Sequence, residues 1–367
     1  MKSHAEYTEK IECSYLFLNT LKKENNFEFF PSVSGLTNSG GQLNLGFSTY
    51  ALKILYMTKK LEIDYENRID KWAKYLNTYQ KENKNFPKNS FIDEALLKYY
   101  KSLPFKEDLK YTVKSILSNL TSVKYDSKKT KLQNAINADT KQAISTLYQI
   151  GYKNEKNFEL ELNENSITEY LNKLDWSKPW NAGAQFSSIC VFSKTQNKDY
   201  SGELSLFLEK IIDKETGSYF MQKPKHEREI INGAMKVISG LDWLDQEIHY
   251  PDKLIDFCLN NKPIMEGCDV VDFIYVLYKC SQQTSYKKNQ VNQLMNEIVK
   301  ELNILYNSSD GGFSYYKDKS QTHYYGVQIT NGENQSDLHG TLLCIWALIM
   351  VLRNNEKIEN EYRLIKP

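Results

Sequence analysis

Residues 334–346 read NQSDLHGTLLCIW, in which the acidic and imidazole side chains of Asp337 and His339 come directly before the most apolar part of the chain. A carboxylate at a helix start accepts backbone N–H groups, so Asp337 is predicted to cap this helix by accepting the N–H of Gly340 or His339. An imidazole titrates near neutral pH and serves as a general acid or base. The motif therefore predicts either part of a catalytic site or a helix cap beside a hydrogen-bonded histidine.

Other polar side chains occur where further apolar helices are predicted to begin, in the segments PWNAGAQ, INGAMK and CDVVDF. Parallel helices around a common interior would bring these starts together at one opening. We expect the segment 314–335 to cover that opening, although its tyrosines equally suit packing under a loop. The candidate catalytic residues are Asp269, Asp272, Asp337 and His339, and the candidate substrate-binding residues are Trp180, Asn181, Gln185, Asn232, Tyr315 and Tyr324.

The elements that must position these residues are helices, because apolar residues recur at three- and four-residue spacing and rarely alternate. The apolar helices are predicted to begin near Phe47, Phe91, Ala138, Ala182, Asn232, Gly267 and Asp337. The first five are separated by roughly 45 residues, a period typical of repeat architectures. The more polar helices between them are predicted at 67–80, 109–120, 166–174, 203–212, 251–259 and 291–306.

The alternation of polar and apolar helices indicates an outer layer facing water and an inner layer facing its neighbours. The connectors repeat too, since KETGSYF and SSDGGFSYY both place glycine beside an aromatic residue. A helical hairpin with an uncovered apolar face must stack on the next, and about six such pairs can close into a ring. The sequence therefore predicts an all-α protein that forms one α/α toroid domain over residues 1–367.

Composition places the chain among soluble globular proteins, with 41% hydrophobic and 25% charged residues. The formal charge of +1 provides no global field for nucleic acid, and the short lysine run SKKTKLQN is predicted to be a solvated loop. Six scattered cysteines without a Cys-x-x-Cys pair are typical of reduced thiols. We also identify no signal peptide and no apolar run of membrane-spanning length, so a cytoplasmic protein is expected.

The toroid pattern, the glycine-aromatic connectors and the last two inner helices resemble the terpenoid-cyclase and protein-prenyltransferase superfamily. In the prenyltransferases, zinc is held by an Asp-x-Cys pair at one inner helix start and by a histidine at a later one. Glu266 and Cys268 are similar to the first pair, with Glu in place of Asp, and His339 in HGTLLC is similar to the second. The resemblance implies a three-ligand zinc site with one position open for substrate.

The same three residues also have ordinary structural interpretations. Glu266 and Cys268 are two positions apart and would converge only at a non-helical helix start. Cys268 otherwise suits a small apolar filler, and Glu266 suits a first-turn charge favoured by the helix dipole.

Three functions stay open from the sequence. The first is an enzyme acting on an isoprenoid or lipid-linked substrate in a central cavity, as the resemblance implies. The second is a glycan hydrolase or lyase, which needs paired carboxylates and aromatic platforms. The third is a non-catalytic ring that binds a ligand or partner. The chain has no Asp-x-Asp-Asp run, phosphate-binding glycine loop, His-Glu-x-x-His or Gly-x-Ser-x-Gly motif.

Overall fold

A computed structural model describes residues 2–25, 27–103, 127–161, 166–356 and 361–367, together with residues 108, 109, 111 and 113. These residues form mainly α-helices, with two short antiparallel strand pairs, which confirms the all-α prediction. Single turns of 3-10 helix, Glu66–Arg68 and Leu302–Ile304, adjoin three of the α-helices.

The helices are α1 (Lys2–Thr20), α2 (Asn38–Gln42), α3 (Leu45–Met57), α4 (Lys60–Tyr65), α5 (Ile69–Asn77), α6 (Glu94–Lys101), α7 (Lys128–Gln149), α8 (Ile167–Lys173), α9 (Pro179–Thr195), α10 (Ser201–Ile211), α11 (Glu227–Trp243), α12 (Pro251–Asn260), α13 (Gly267–Gln283), α14 (Lys288–Glu301) and α15 (Leu338–Glu356). The strands are β1 (Gln80–Lys81) and β2 (Ser90–Phe91), which pair with each other, and β3 (His323–Tyr324) and β4 (Val327–Gln328), which form a second pair.

Six long helices pack on one another through faces that are largely buried. Helix α3 contacts α7 and α15, α9 contacts α7 and α11, and α13 contacts α11 and α15. Most positions of α3, α11 and α13 are buried, as expected for helices that are apolar on nearly all sides. Together α3, α7, α9, α11, α13 and α15 are called the inner helices below.

More polar helices lie against the inner helices, as the sequence pattern predicts. Helix α10 contacts α8 and α9, and α12 contacts α13 and α14. The four predicted polar segments from residue 166 onward coincide with α8, α10, α12 and α14 to within a few residues. Pro251 occupies the first turn of α12, where the missing N–H is harmless. The predicted helix at 109–120 lies almost wholly outside the described residues.

Two predictions about the first half of the chain differ from the structure in part. The helix predicted to begin near Phe91 is present but begins at Glu94, as α6, and it is not one of the six inner helices. Phe91 itself belongs to β2, because its N–H is bonded to the Thr140 hydroxyl at 2.9 Å and it pairs with Gln80. The inner position beside α3 is taken by α7. This helix begins inside the predicted loop SKKTKLQN, since the Ser127 hydroxyl accepts the N–H of Thr130 at 3.0 Å and caps it.

One carboxylate holds two helix starts together near the inner layer. Asp93 Oδ2 accepts the backbone N–H groups of Asn44 at 2.8 Å and Leu45 at 3.0 Å, at the start of α3. Its Oδ1 accepts the N–H of Ala95 at 2.9 Å, at the start of α6. Asp93 is buried, so these bonds satisfy donors that water does not reach.

The segment 361–367 crosses the C-terminal ends of three inner helices. The Arg363 N–H donates to the carbonyl of Met57, the last residue of α3, at 2.8 Å. The Lys366 N–H donates to the side-chain oxygen of Gln149, the last residue of α7, at 2.7 Å. The indole N–H of Trp243, which ends α11, donates to the Pro367 carbonyl at 3.0 Å.

Helix α15 is the one candidate for a membrane span among the described residues. Its window Leu338–Asn355 is long and apolar enough to cross a bilayer, and 72% of that window is buried in the structure.

Candidate functional site

Asp337 lies at the start of α15 and joins that helix to the segment 314–335. Its Oδ1 accepts the N–H of Gly340 at 2.8 Å, which confirms the predicted cap. Its Oδ2 accepts the N–H groups of Tyr315 at 2.7 Å and Gln321 at 2.9 Å. Burial raises the pKa of this carboxyl to about 6, and the hydrogen bonds from the backbone oppose the shift. All its contacts are to backbone, so Asp337 positions the site.

His339 lies in the first turn of α15 between two tyrosine rings. Its ring centroid is 4.7 Å from that of Tyr50, with planes inclined by 18°, and 5.0 Å from that of Tyr315. The ring is partly exposed, while its Nδ1 is buried without a hydrogen-bond partner. Burial, together with the charge of Lys236, lowers the pKa of His339 to about 3. The imidazole is therefore neutral at pH 7 and offers one donor and one acceptor.

Cys268 and Tyr315 link the start of α13 to the same aromatic group. The Tyr315 hydroxyl donates to Cys268 Sγ at 3.2 Å, and the Tyr315 carbonyl accepts the N–H of Gly267 at 2.8 Å. Gly267 has φ +36°, and a Cβ there would lie 2.3 Å from the Tyr315 ring, so glycine is required for this approach. Burial raises the pKa of the Cys268 thiol to about 11, which keeps it protonated at neutral pH.

The predicted zinc ligands do not form a donor set in this structure. Glu266 is exposed at the N-cap of α13, whereas the Sγ of Cys268 is bonded to Tyr315. Within the described ranges, no group of three or more His, Cys, Asp or Glu side chains is placed to hold a metal ion. Zinc binding by Glu266, Cys268 and His339 stays a prediction.

Asp269 and Asn232 meet as the sequence predicts, through a buried contact between α11 and α13. The Asn232 amide donates to Asp269 Oδ1 at 2.6 Å. The Nε of Arg228 lies 2.7 Å from Asp269 Oδ2, as an ion pair without hydrogen-bond alignment. The Arg228 guanidinium also lies 5.6 Å from the Trp180 ring centroid, on α9. This carboxylate is thus occupied by an amide and a cation.

The remaining candidates on α9 do not join this group. Asn181 is exposed, and its backbone N–H bonds to the carbonyl of Lys178. Gln185 is partly buried and accepts the Tyr170 hydroxyl at 3.4 Å, toward the outer helix α8. The start of α9 therefore contributes Trp180 to the site but neither amide.

Tyr324 is buried against α3 and α7 rather than exposed over an opening. Its hydroxyl donates to Asp139 Oδ1, and its ring lies 5.2 Å from Phe47 and 6.2 Å from Tyr50. Burial raises the pKa of Asp139 to about 8, and the Tyr324 hydrogen bond opposes this. Asp139 therefore carries a proton for much of the time at pH 7. Asp139 is not among the site residues predicted from the sequence.

Asp272 lies on α13 opposite Lys236 of α11. The Lys236 ammonium is 3.8 Å from Asp272 Oδ2, which has no hydrogen-bond partner although the carboxylate is buried. Burial raises the pKa of Asp272 to about 6, while Lys236 lowers it. Asp272 is thus less closely paired than Asp269, whose Oδ2 lies 2.7 Å from Arg228.

Two further lysines of the inner helices were not predicted as site residues from the sequence. Lys53 of α3 is 3% exposed, and Lys141 of α7 is partly buried. Neither side chain has a hydrogen bond or ion pair to any described residue. The charges of Lys53 and Lys236 both act on Lys141 and, with burial as the larger cause, hold its pKa well below the usual value. A single lysine inside each of the apolar segments ALKILYM, TKQAIS and GAMKVIS is the signal that would have found them.

The geometry thus joins two groups of side chains across the inner helices. The aromatic group consists of Tyr50 of α3, Tyr315 of the segment 314–335, Tyr324 of β3 and His339 of α15. The charged group consists of Lys53 of α3, Lys141 of α7, Lys236 of α11 and Asp272 of α13. Searches against protein-family models, curated proteins and solved structures found no match for this chain.

Proposed function

We propose that the chain is an α/α toroid enzyme with an active site inside the ring of inner helices, acting on an isoprenoid or other lipid-linked substrate. The toroid is supported by the contacts among the six inner helices, each of which packs on two others. The observation that carries the functional proposal is the stacking of neutral His339, in the first turn of α15, between Tyr50 of α3 and Tyr315.

The aromatic group suits an apolar substrate that develops positive charge. Tyrosine faces attract cations and also pack well on hydrocarbon, so Tyr50 and Tyr315 would line the isoprenoid chain. The neutral His339 ring would donate or accept one hydrogen bond without adding charge. Asp272, with a pKa near 6 and an oxygen free of hydrogen bonds, would accept a proton from the substrate.

Turnover of isoprenoid diphosphates tests this proposal. Purified protein is incubated with geranyl, farnesyl or geranylgeranyl diphosphate, alone and with a thiol peptide as acceptor, and products are identified by mass spectrometry. We expect substrate consumption that falls at least tenfold in His339→Ala and in Asp272→Asn. His323→Ala serves as the matched control because His323 is exposed on β3. Absence of turnover with and without added zinc would contradict the proposal.

The glycan-processing alternative gains no support from these contacts. Asp337 is bonded to three backbone N–H groups, and Asp269 is occupied by Asn232 and Arg228. Among the described residues, Asp269 and Asp272 each keep an oxygen without a hydrogen bond, but each of these oxygens lies beside a cation, Arg228 or Lys236. Glycoside cleavage needs two working carboxyl groups.

The non-catalytic alternative makes a distinct prediction for His339. If the ring only binds a ligand, His339→Ala should lower the melting temperature by several degrees and leave any turnover unchanged. Unchanged stability with lost turnover would instead support the enzyme. The cytoplasmic location and a small-molecule ligand remain parts of this proposal.

A further inference from the structure

We propose that Lys53, Lys141 and Lys236 form an interior binding site for the anionic group of a ligand. The inference rests on the proposed interior site and specifies which chemical group of the ligand lies deepest. It depends on three lysines from three inner helices and not on the aromatic group at the helix starts.

The first support is burial without compensation. Lys53 is 3% exposed in the middle of α3, and no described residue supplies it with a hydrogen bond or an opposite charge. Lys141 likewise lacks a described partner. An ammonium group removed from water without a partner is strongly unfavourable, so such groups are normally paired or bind a ligand.

The second support is the imbalance of charge around these lysines. Two carboxyl groups belong to the inner helices around these lysines: Asp272 of α13, which lies 3.8 Å from Lys236, and Asp139 of α7, whose pKa burial raises to about 8. His339 of α15 is neutral, and burial raises the pKa of the Cys190 thiol on α9, which is therefore neutral as well. Within the described residues, the three lysines thus have a single ion pair, that of Lys236 with Asp272.

The third support is the lowering of the lysine pKa values by burial and by the neighbouring lysines. Burial lowers the pKa of Lys53 to about 7, and the pKa of Lys141 is also lowered by burial and by the two neighbouring lysines. Part of the positive charge is therefore absent without ligand at pH 7. An anion between them favours the protonated forms, so binding must be accompanied by proton uptake.

Phosphate and carboxylate groups share the chemistry that this site would recognise, namely a compact anion with several acceptor oxygens. Isothermal titration calorimetry of the full chain with inorganic phosphate and, separately, with malonate distinguishes them. Titrations at pH 7.5 in two buffers of different ionisation enthalpy measure the protons taken up. We expect binding of at least one anion with proton uptake, and an affinity that falls up to tenfold for each pH unit above 7.

Lys53→Met and Lys141→Met are the test variants, since methionine keeps the stem and removes the charge. Each should weaken anion binding at least tenfold, whereas Lys129→Met, an exposed position of α7, should leave it unchanged. Lys53→Arg, which keeps a charge that cannot be lost, should retain binding and reduce the proton uptake. Melting curves show that each variant is folded.

Binding of phosphate alone would assign a phosphorylated group to this site, and binding of malonate alone a carboxylate. No binding of either at millimolar concentration, or binding that survives both methionine substitutions, would overturn the inference. The result is separable from the proposed reaction, because an anion that binds through Lys53 without any turnover of isoprenoid diphosphates would leave this site standing while removing the proposed activity.

Discussion

Among individual residues, the buried carboxyl group of Asp139 makes the clearest prediction about pH. Its pKa is raised by burial to about 8 in the folded protein, against about 3.9 in an unfolded chain. The folded state therefore holds a proton that the unfolded state has released, so the stability that Asp139 contributes is full below pH 4 and is lost as pH rises through 8.

We expect Asp139→Asn, which resembles the protonated carboxyl, to gain stability relative to the natural protein as pH rises from 5 to 9, by roughly 3 to 5 kcal/mol. Urea unfolding at several pH values measures this difference. Asp318→Asn, at an exposed position, should show no such trend. A difference that is independent of pH would show that Asp139 is already ionised at pH 5.

Lys53 makes the opposite prediction. Its pKa is lowered by burial to about 7, against about 10.4 unfolded, so the unfolded state binds more protons between these values. Lys53 therefore lowers the free energy of unfolding by its full amount below pH 7, and this destabilisation decreases as pH rises toward 10. Lys53→Met should therefore raise the free energy of unfolding at pH 7 by roughly 3 to 5 kcal/mol, and by much less at pH 9.5.

Urea unfolding in buffers free of phosphate and carboxylate measures the effect of Lys53→Met, with Lys129→Met as the exposed control on α7. A destabilised methionine variant at pH 7 would mean that the ammonium is compensated in the native protein. The stabilising and binding effects of this one substitution are thus expected to have opposite signs.

At the scale of elements, the start of α3 depends on a carboxylate from another part of the chain. Asp93→Ala removes acceptors from three backbone N–H groups at two helix starts. Because these donors are near a buried side chain, we expect a loss of roughly 3 kcal/mol or more in the free energy of unfolding.

The matched control is Ser166→Ala at the start of α8, where one exposed cap bond to Glu169 is lost. That substitution should cost about 1 kcal/mol. Equal effects in urea unfolding would show that the second and third bonds of Asp93 contribute nothing measurable.

The helices that were predicted correctly have apolar periodicity and capping residues that agree with their tertiary contacts. The apolar runs of α9, α13 and α15, and the cap at Asp337, follow from local periodicity and side-chain chemistry. The helix predicted near Phe91 begins only at Glu94, because the Phe91 N–H is bonded to Thr140, a contact from a distant helix that no local pattern contains. Propensity is a weak guide where such a contact decides.

The candidate site was predicted in the same uneven way. Polar residues at helix starts were found because chain position reveals them, and Asn232 does meet Asp269. Lys53 and Lys141 were missed because the absence of a partner is a property of the assembled interior. Asn181 and Gln185 were predicted as substrate-binding residues because every polar residue near a helix start was taken as a candidate. The rotation of α9 about its axis decides which of its side chains face inward, and the sequence does not reveal that rotation.

For the whole molecule, the segment 361–367 connects three inner helices at their C-terminal ends. Deleting residues 363–367 removes the bonds to Met57, Gln149 and Trp243 and uncovers the indole of Trp243, which is 2% exposed. We expect the melting temperature to fall by roughly 5 to 15 °C. We also expect faster amide exchange at the ends of α3, α7 and α11.

Trp243→Phe provides the comparison for this deletion, because it keeps an aromatic ring and loses only the hydrogen bond to Pro367. Its effect on the melting temperature should be much smaller than that of the deletion. If the two effects are equal, the segment acts through that one bond and does not join the three helices.

The contact between α3 and α15 joins parts of the chain that are synthesised far apart in time. Ser34, which precedes α2 and α3, and Gln335, which lies just before α15, are hydrogen-bonded although they are 301 positions apart. At a translation rate of about 5 to 20 residues per second, the apolar face of α3 waits roughly 15 to 60 s for its partner to emerge. A nascent chain therefore exposes this face for most of its synthesis, which makes it a target for chaperones that bind during translation.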